Sequence, residues 1–442
     1  MKDTSLRTRL RSMTMVSITA ASLTAGSPLS AENLPPASRA ESVGMSSERV
    51  LRIDDKVRQL VDDGEVKGMV TLLARHGKIV SISVHGNRDE AQPMTRDTIF
   101  RLASMSKPVT GVALMILFEE GKFALDDPIT KFIPQFRGLH VASEADKGGN
   151  PVLVPMKRPP TMRELMSHRA GFGYGMFLDK PADRIFAREA PLAANDLEGM
   201  IERLARVPLL YQPGEHFSYS AAMDIEGYII EKLSGQRLGD FMRTRIFTPL
   251  GMTDTGFFVP SDKLSRLAAM YRTNPANGRL SPPGQGIFWV RGDPQSPPSL
   301  ESGGAGLYST VDDYSRFAQM LANRGTLGDV RILKSSTVKL MQTNTMPSPL
   351  PPGYALSLPW MFSDAVGFGL NMQTVVDPRA AGRREGKGTL SWNGASGVFW
   401  WVDPENHLFF LGMLQNGYRT GPRSYDAAFR DLAYDALVDP AR

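Results

Sequence analysis

The sequence predicts an α/β (α+β) protein whose main domain is built from both ends of the chain and interrupted by a mainly helical insertion. Strand-like apolar runs gather near the two ends, helical periodicities fill the middle, and no repeat period is visible. With 442 residues, 42% of them hydrophobic, the chain buries a large core without covalent staples. Its lack of cysteine excludes disulfides, cysteine nucleophiles, Fe–S clusters and cysteine zinc sites. The 41 glycines and 32 prolines, about a sixth of the chain, suit long functional loops better than a helical bundle.

Residues 1–31 read as an export signal, with a basic start to Arg11, an uncharged stretch from Met13 to Ala25, and small residues before Ala31. This places the protein in the periplasm or outside the cell. Polar residues 32–46 read as a linker. Elsewhere nothing approaches the roughly 18 uninterrupted apolar residues of a membrane span, so no integral span is expected. Lys2, Arg7, Arg9 and Arg11, against Asp3, carry +3 of the formal charge of +5. The remainder has no concentrated basic patch, which argues against a nucleic-acid partner.

From Ser47 a helical pattern (Val50, Leu51, Val57, Leu60, Val61) runs to a stop at Gly64. Strands follow over Met69–Arg75 and Lys78–Val84, then a short strand at Thr98–Leu102 leads into a helix from Ser104 to about Glu120. A further helix is expected over Thr310–Asn323. Apolar, aromatic strands are expected over Gly388–Asp403 and His407–Gln415, and a last helix over Ser424–Leu437. The α/β domain thus comprises residues 47–135 and 296–442, and the helical insertion residues 136–295.

Ser104-Met105-Ser106-Lys107 is the first candidate for chemistry. Serine three residues before lysine on a helix puts both side chains on one face. A serine hydroxyl needs a neighbouring base, and a lysine amine serves if burial or nearby positive charge lowers its pKa. By itself the pattern is weak, because Ser336–Lys339 repeats it in what reads as the capped start of a surface helix.

The company of Ser104 separates the two. Thr98–Lys107 resembles the nucleophile segment of the serine β-lactamase, penicillin-binding-protein and family VIII carboxylesterase superfamily. Leu125-Asp126-Asp127-Pro128-Ile129, Thr161–Gly171, Pro213–Ser220, Pro249–Thr255 and Ser302–Thr310 are similar to five later segments of it, in the same order. The resemblance covers most of the chain from Ser47 to Ala436. It implies a β-lactamase/transpeptidase-like fold, an antiparallel sheet flanked by helices. It further implies Ser104 as nucleophile, Lys107 as its buried base partner and Tyr219 as the group assisting proton transfer.

Two departures from the family pattern bear on substrate. The usual asparagine two residues after the tyrosine is Ala221, and the K-T-G segment appears as Trp392-Asn393-Gly394. Both side chains that recognise a β-lactam are therefore replaced, and family VIII esterases share the W-x-G form. By the resemblance, Trp392 and Gly394 bind substrate, and the N–H groups of Ser104 and Ala395 form the oxyanion hole. Phe172, Tyr174, Met176, Phe177, Phe288 and Trp289 either line an acyl pocket or pack loops onto the core.

No G-x-S-x-G elbow occurs, and the six histidines show no metal spacing, so neither metal nor cofactor is expected. His168 reads as structural. The sequence thus points to a serine hydrolase that cleaves small or medium carboxylic esters through an acyl-enzyme. Its rivals are a peptidase or amidase on unusual (D-residue or cyclic-derived) peptides or a weak β-lactamase, an acyltransferase, and a catalytically silent ligand-binding protein. The expected partner is a small-molecule ester or peptide substrate.

Overall fold

The computed structural model describes residue 1 and residues 34–146, 151–273, 280–281, 293–417 and 424–438. Apart from Met1, the predicted export segment lies outside these residues, as do Phe288 and Trp289.

A seven-stranded antiparallel sheet forms the centre of the molecule. In chain order its strands are β1 (Gly68–Arg75), β2 (Lys78–Gly86), β3 (Val366–Phe368), β4 (Gln373–Val375), β5 (Leu390–Ser391), β6 (Phe399–Asp403) and β7 (Leu408–Leu414). They lie side by side as β3-β4-β5-β6-β7-β1-β2. The last strand thus pairs with the first, Met69 opposite Leu414 and Arg75 opposite Leu408. This closure lets residues 87–365 leave the sheet and return to its other edge.

Helices cover both faces, so β1 and β7 are buried along their whole length and read as continuous apolar runs. On one face Met69, Leu73, Trp401 and Phe410 meet α1 (Ser47–Asp62) and α5 (Tyr425–Asp435) through Ile53, Val57 and Phe429. Here the rings of Trp401 and Phe410 stack 4.7 Å apart. On the other face Val70, Leu72, Trp400 and Leu411 join the core of α2 (Ser106–Glu119), α3 (Ala222–Ser234) and α4 (Val311–Ala322).

The helices differ in a way that positions the site. α1 presents a single apolar stripe of Val50, Ile53, Val57 and Leu60, as a surface helix does. α2 is buried from Ser106 to Leu117 and α3 from Ala222 to Ile230, so neither has a polar face over those turns. Charged side chains on them are interior groups.

Sequence and structure part in two places. The run 388–403 forms two strands, β5 and β6, because the chain leaves the sheet between Trp392 and Val398. β3 and β4, three residues each, are not foreseen at all, being too short to show a period. The intervening region also holds strand pairs, such as His140–Ala145 with Pro151–Pro155.

Candidate active site

Phe100–Arg101 pairs with Tyr308–Ser309 and delivers the chain to a tight turn, Ala103–Met105, from which α2 starts. Ala103 holds a left-handed backbone, φ 46°. A residue with a Cβ adopts that conformation at a cost of roughly 1–2 kcal/mol, so its surroundings must impose it. They do so on both sides: the Leu102 N–H donates to the Leu307 carbonyl at 2.9 Å, and the Leu307 N–H donates to Ser106 Oγ at 3.0 Å. Tyr314 of α4 donates its hydroxyl to the Met105 carbonyl. Ser104 is thereby left partly exposed between buried neighbours.

Two side chains converge on Ser104 Oγ. The Tyr219 hydroxyl lies 2.5 Å away and Lys107 Nζ 3.2 Å away. Lys107 is fully buried, donates to the Gly304 carbonyl at 2.7 Å, and lies 4.6 Å from the centre of the Tyr219 ring. Tyr219 is fixed through its neighbours. Its own N–H donates to Ser357 Oγ, the Ser218 N–H to the His168 carbonyl at 2.9 Å, and the Ser220 N–H to His168 Nδ1 at 3.2 Å. The His168 ring itself packs 4.8 Å from that of Tyr219. Burial, and then the charge of Lys107, hold His168 well below the usual histidine range, so the ring is a neutral acceptor at Nδ1. It thereby anchors the segment on either side of Tyr219.

The segment after β5 closes the site. Ser396 Oγ donates to the Arg101 carbonyl at 2.6 Å, and a Cβ on Gly394 would stand 2.2 Å from the Leu102 carbonyl. Only glycine allows this approach, and it lays Ala395 beside the turn that carries Ser104. The N–H groups of Ser104 and Ala395 have no acceptor among the described residues. Trp392 is buried and stands 5.5 Å from Tyr219 and 5.3 Å from Phe368, ring centre to ring centre.

The surroundings are apolar. Phe217, Met346, Tyr354, Phe362 and Phe368 pack with Tyr219 and Trp392, flanked by Leu358 and Met361. Tyr174 stands edge-on to Tyr219 at 5.5 Å. The buried carboxylate of Asp183 holds the Tyr174 loop by accepting from the N–H groups of Tyr174, Gly175 and Phe177. Phe172 packs instead on Phe136 at 5.3 Å, and Met176 is exposed. Ala221 is fully buried. Ser336 and Lys339 sit exposed on the helix Ser335–Gln342, whose N-cap is Lys334 rather than a serine.

Sequence reasoning missed a polar layer behind Lys107. Asp224 and Glu226 of α3 and Asn371 are all fully buried there. Asp224 Oδ1 accepts from Ser302 Oγ at 2.5 Å and from the Gly304 N–H at 3.2 Å. Asn371 Nδ2 donates to Glu226 Oε2 at 2.6 Å and to the Lys107 carbonyl at 3.3 Å. The signal available in the sequence is two acids, two residues apart, in an otherwise apolar helical run just after Tyr219.

The family model described as Beta-lactamase matches residues 53–435. The chain belongs to the β-lactamase family. Protein Rv1367c of Mycobacterium tuberculosis is 37% identical over 366 residues, covering 81% of this chain and 88% of its own length. Esterase EstB of Burkholderia gladioli is 31% identical over 400 residues, covering 87% and 94%. Among solved structures, EstCE1, described as a hydrolase with promiscuous acyltransferase activity, superposes with a TM-score of 0.72. It is 26% identical, over 90% of this chain and 99% of that one. The sheet and its flanking helices are therefore the β-lactamase/transpeptidase-like fold, and this member of the family is a serine hydrolase. No helix among the described residues is long and apolar enough to cross a membrane.

Proposed function

We propose that this β-lactamase-family enzyme hydrolyses small or medium carboxylic esters through an acyl-enzyme on Ser104. The observation that carries the reading is the convergence of the Tyr219 hydroxyl and Lys107 Nζ on one serine oxygen. Tyr219, acting as general base in its phenolate form, takes the Ser104 proton as Oγ bonds to the ester carbonyl. The oxygen of that carbonyl gains the charge and is held by the Ser104 and Ala395 N–H groups. Collapse expels the alkoxide, which receives the proton from Tyr219. Water then attacks the acyl carbon, its proton returns through Tyr219 to Ser104 Oγ, and the acid leaves. Acyl transfer differs only in the alcohol that replaces water, and the likeness to EstCE1 favours it as a side reaction.

Preference for esters over β-lactams follows from Ala221 and the buried ring of Trp392, which offer neither the amide nor the cation of the family pattern. Each missing charged or polar contact is worth about 1–3 kcal/mol. The kcat/KM on p-nitrophenyl butyrate is therefore expected to exceed that on nitrocefin by roughly 100-fold or more. Comparable turnover of the two substrates would sink the ester reading.

Gly394→Ala tests the closing segment. The added methyl must displace the Leu102 carbonyl or the segment itself, either of which moves Ala395 away from Ser104. A loss of about 100-fold in kcat on the ester is expected, comparable to the loss of one oxyanion donor. An unchanged kcat would remove Ala395 from the oxyanion hole.

A further inference from the structure

The loop that runs beside Tyr219 continues across the site. Ala355 bridges to Phe217 in parallel, and the Leu356 N–H donates to the Phe217 carbonyl at 2.9 Å. Two residues on, Ser357 Oγ accepts from the Tyr219 N–H. The chain then turns at Leu358, whose backbone is left-handed at φ 54°. A bulky side chain takes that conformation only where its surroundings impose it. Here they do. Ser357 is tied to Tyr219 on one side, and on the other the Met361 carbonyl accepts from Gln373 Nε2 at 2.8 Å. Gln373 Oε1 in turn accepts from the hydroxyl of Ser391, the neighbour of Trp392. Residues 358–361 therefore cross from the Tyr219 side of the site to its Trp392 side.

Leu358 and Met361 pack onto the apolar wall that contains Tyr219 and Trp392. Trp360, between them, is left 64% exposed, and Leu356 is exposed as well. Three residues separate Trp360 from Ser357, so its Cα lies at most about 11 Å from that of Ser357. The loop after Tyr174 repeats the pattern. Tyr174 stands edge-on to Tyr219, and the exposed Met176 and Leu178 follow it. Four of the ten large apolar side chains exposed among the described residues thus lie on these two loops, a concentration that core packing does not require. The rim is also uncharged, with no Asp, Glu, Lys or Arg from Met346 to Ser363 or from Tyr174 to Leu178. The amides of a peptide would go unpaired against such a surface, whereas a hydrocarbon chain loses nothing there.

We propose that Trp360 is a specificity-determining residue whose indole covers the outer part of an apolar acyl chain, the carbonyl of that chain lying at Ser104. Medium-chain acyl esters, rather than acetates, are then the substrates of this site. The proposal deepens the ester-hydrolase reading and rests on it. Tyr219 and Trp392 take the carbons next to the carbonyl, and the chain runs outward to the exposed indole.

The ratio of kcat/KM on p-nitrophenyl octanoate to that on p-nitrophenyl acetate reads the fate of the chain. Each methylene that leaves water is worth a factor of about four, so the wild-type ratio is expected to favour octanoate by roughly 30-fold or more. Trp360→Ala is expected to lower the ratio about 10-fold, and Trp360→Phe, which keeps an apolar ring, to restore most of it. A merely structural role lowers both rates together. An unmoved ratio, or a wild type that prefers acetate, therefore overturns the proposal. So does a dimer that Trp360→Ala turns into a monomer with the ratio unmoved, since the indole then belongs to a second copy of this chain. Ester cleavage that survives Ser104→Ala would sink the hydrolase reading instead. Octanamide binding to Ser104→Ala, measured by titration calorimetry, then decides for Trp360. Adding Trp360→Ala is expected to weaken that binding about 10-fold, and an unchanged Kd overturns the proposal.

Discussion

The double variant Ser104→Ala/Tyr219→Phe is expected to cleave p-nitrophenyl butyrate no more slowly than Ser104→Ala alone. Ser104→Ala removes the atom that forms the acyl-enzyme, and a loss of roughly 10⁴-fold or more in kcat is expected. Tyr219→Phe leaves that atom but takes away its proton acceptor, for a loss of about 10²–10⁴-fold. If these effects were independent their factors would multiply. They act as a unit, however, because every proton that Tyr219 passes on is taken from or returned to Ser104 Oγ, which its hydroxyl meets at 2.5 Å. Once Oγ is gone, the hydroxyl has no proton to accept. Phe at 219 keeps the ring contacts with His168, Tyr174 and Trp392, so the variant should lose only the worth of one hydrogen bond, about 1 kcal/mol. Steady-state kcat for the four proteins closes the cycle. A double variant slower than Ser104→Ala by the full Tyr219→Phe factor would show that Tyr219 works elsewhere.

What the sequence made legible, and what it hid, follows from how far apart the partners lie along the chain. Ser104 and Lys107 are one helical turn apart, so local spacing alone raised them. Tyr219 lies 115 residues from Ser104 and was legible only through the resemblance of its segment. The contact of Gly304 with Lys107 spans 197 residues, and that of Asn371 with Glu226 spans 145. No local pattern announces either. Asp224 and Glu226 have the composition of an ordinary exposed helix face. Only the packing of α3 between α2 and the rest of the core turns them inward. The division of residues 388–403 into β5 and β6 has the same origin. An apolar run reads as one strand until the close approach of Gly394 to Leu102 is known. α1, by contrast, was legible almost to its ends, because one apolar stripe and the stop at Gly64 are local signals.

Glu226→Gln is expected to stabilise the protein, by an amount that grows with pH. Burial carries the Glu226 carboxyl from its ordinary 4.5 to about 8, with the Asn371 amide opposing and the Asp224 charge adding to the rise. Below about 4.5 both the folded and the unfolded chain hold this proton, and the group costs folding little. Between 4.5 and 8 the unfolded chain releases the proton while the folded chain keeps it, so stability falls steadily as pH rises. Above 8 both states have released it and the penalty is constant. At about 1.4 kcal/mol per unit, the full penalty is on the order of 5 kcal/mol. Glutamine retains an acceptor oxygen for Asn371 Nδ2 and cannot ionise, so the variant escapes the penalty without losing the hydrogen bond. Urea unfolding of both proteins at about pH 5 and about pH 8 isolates the effect, because every other titrating group, Asp224 included, is common to the two. The stability difference should widen by several kcal/mol between those pH values. A difference that stays constant would mean that Glu226 is already ionised at pH 5 in the folded protein.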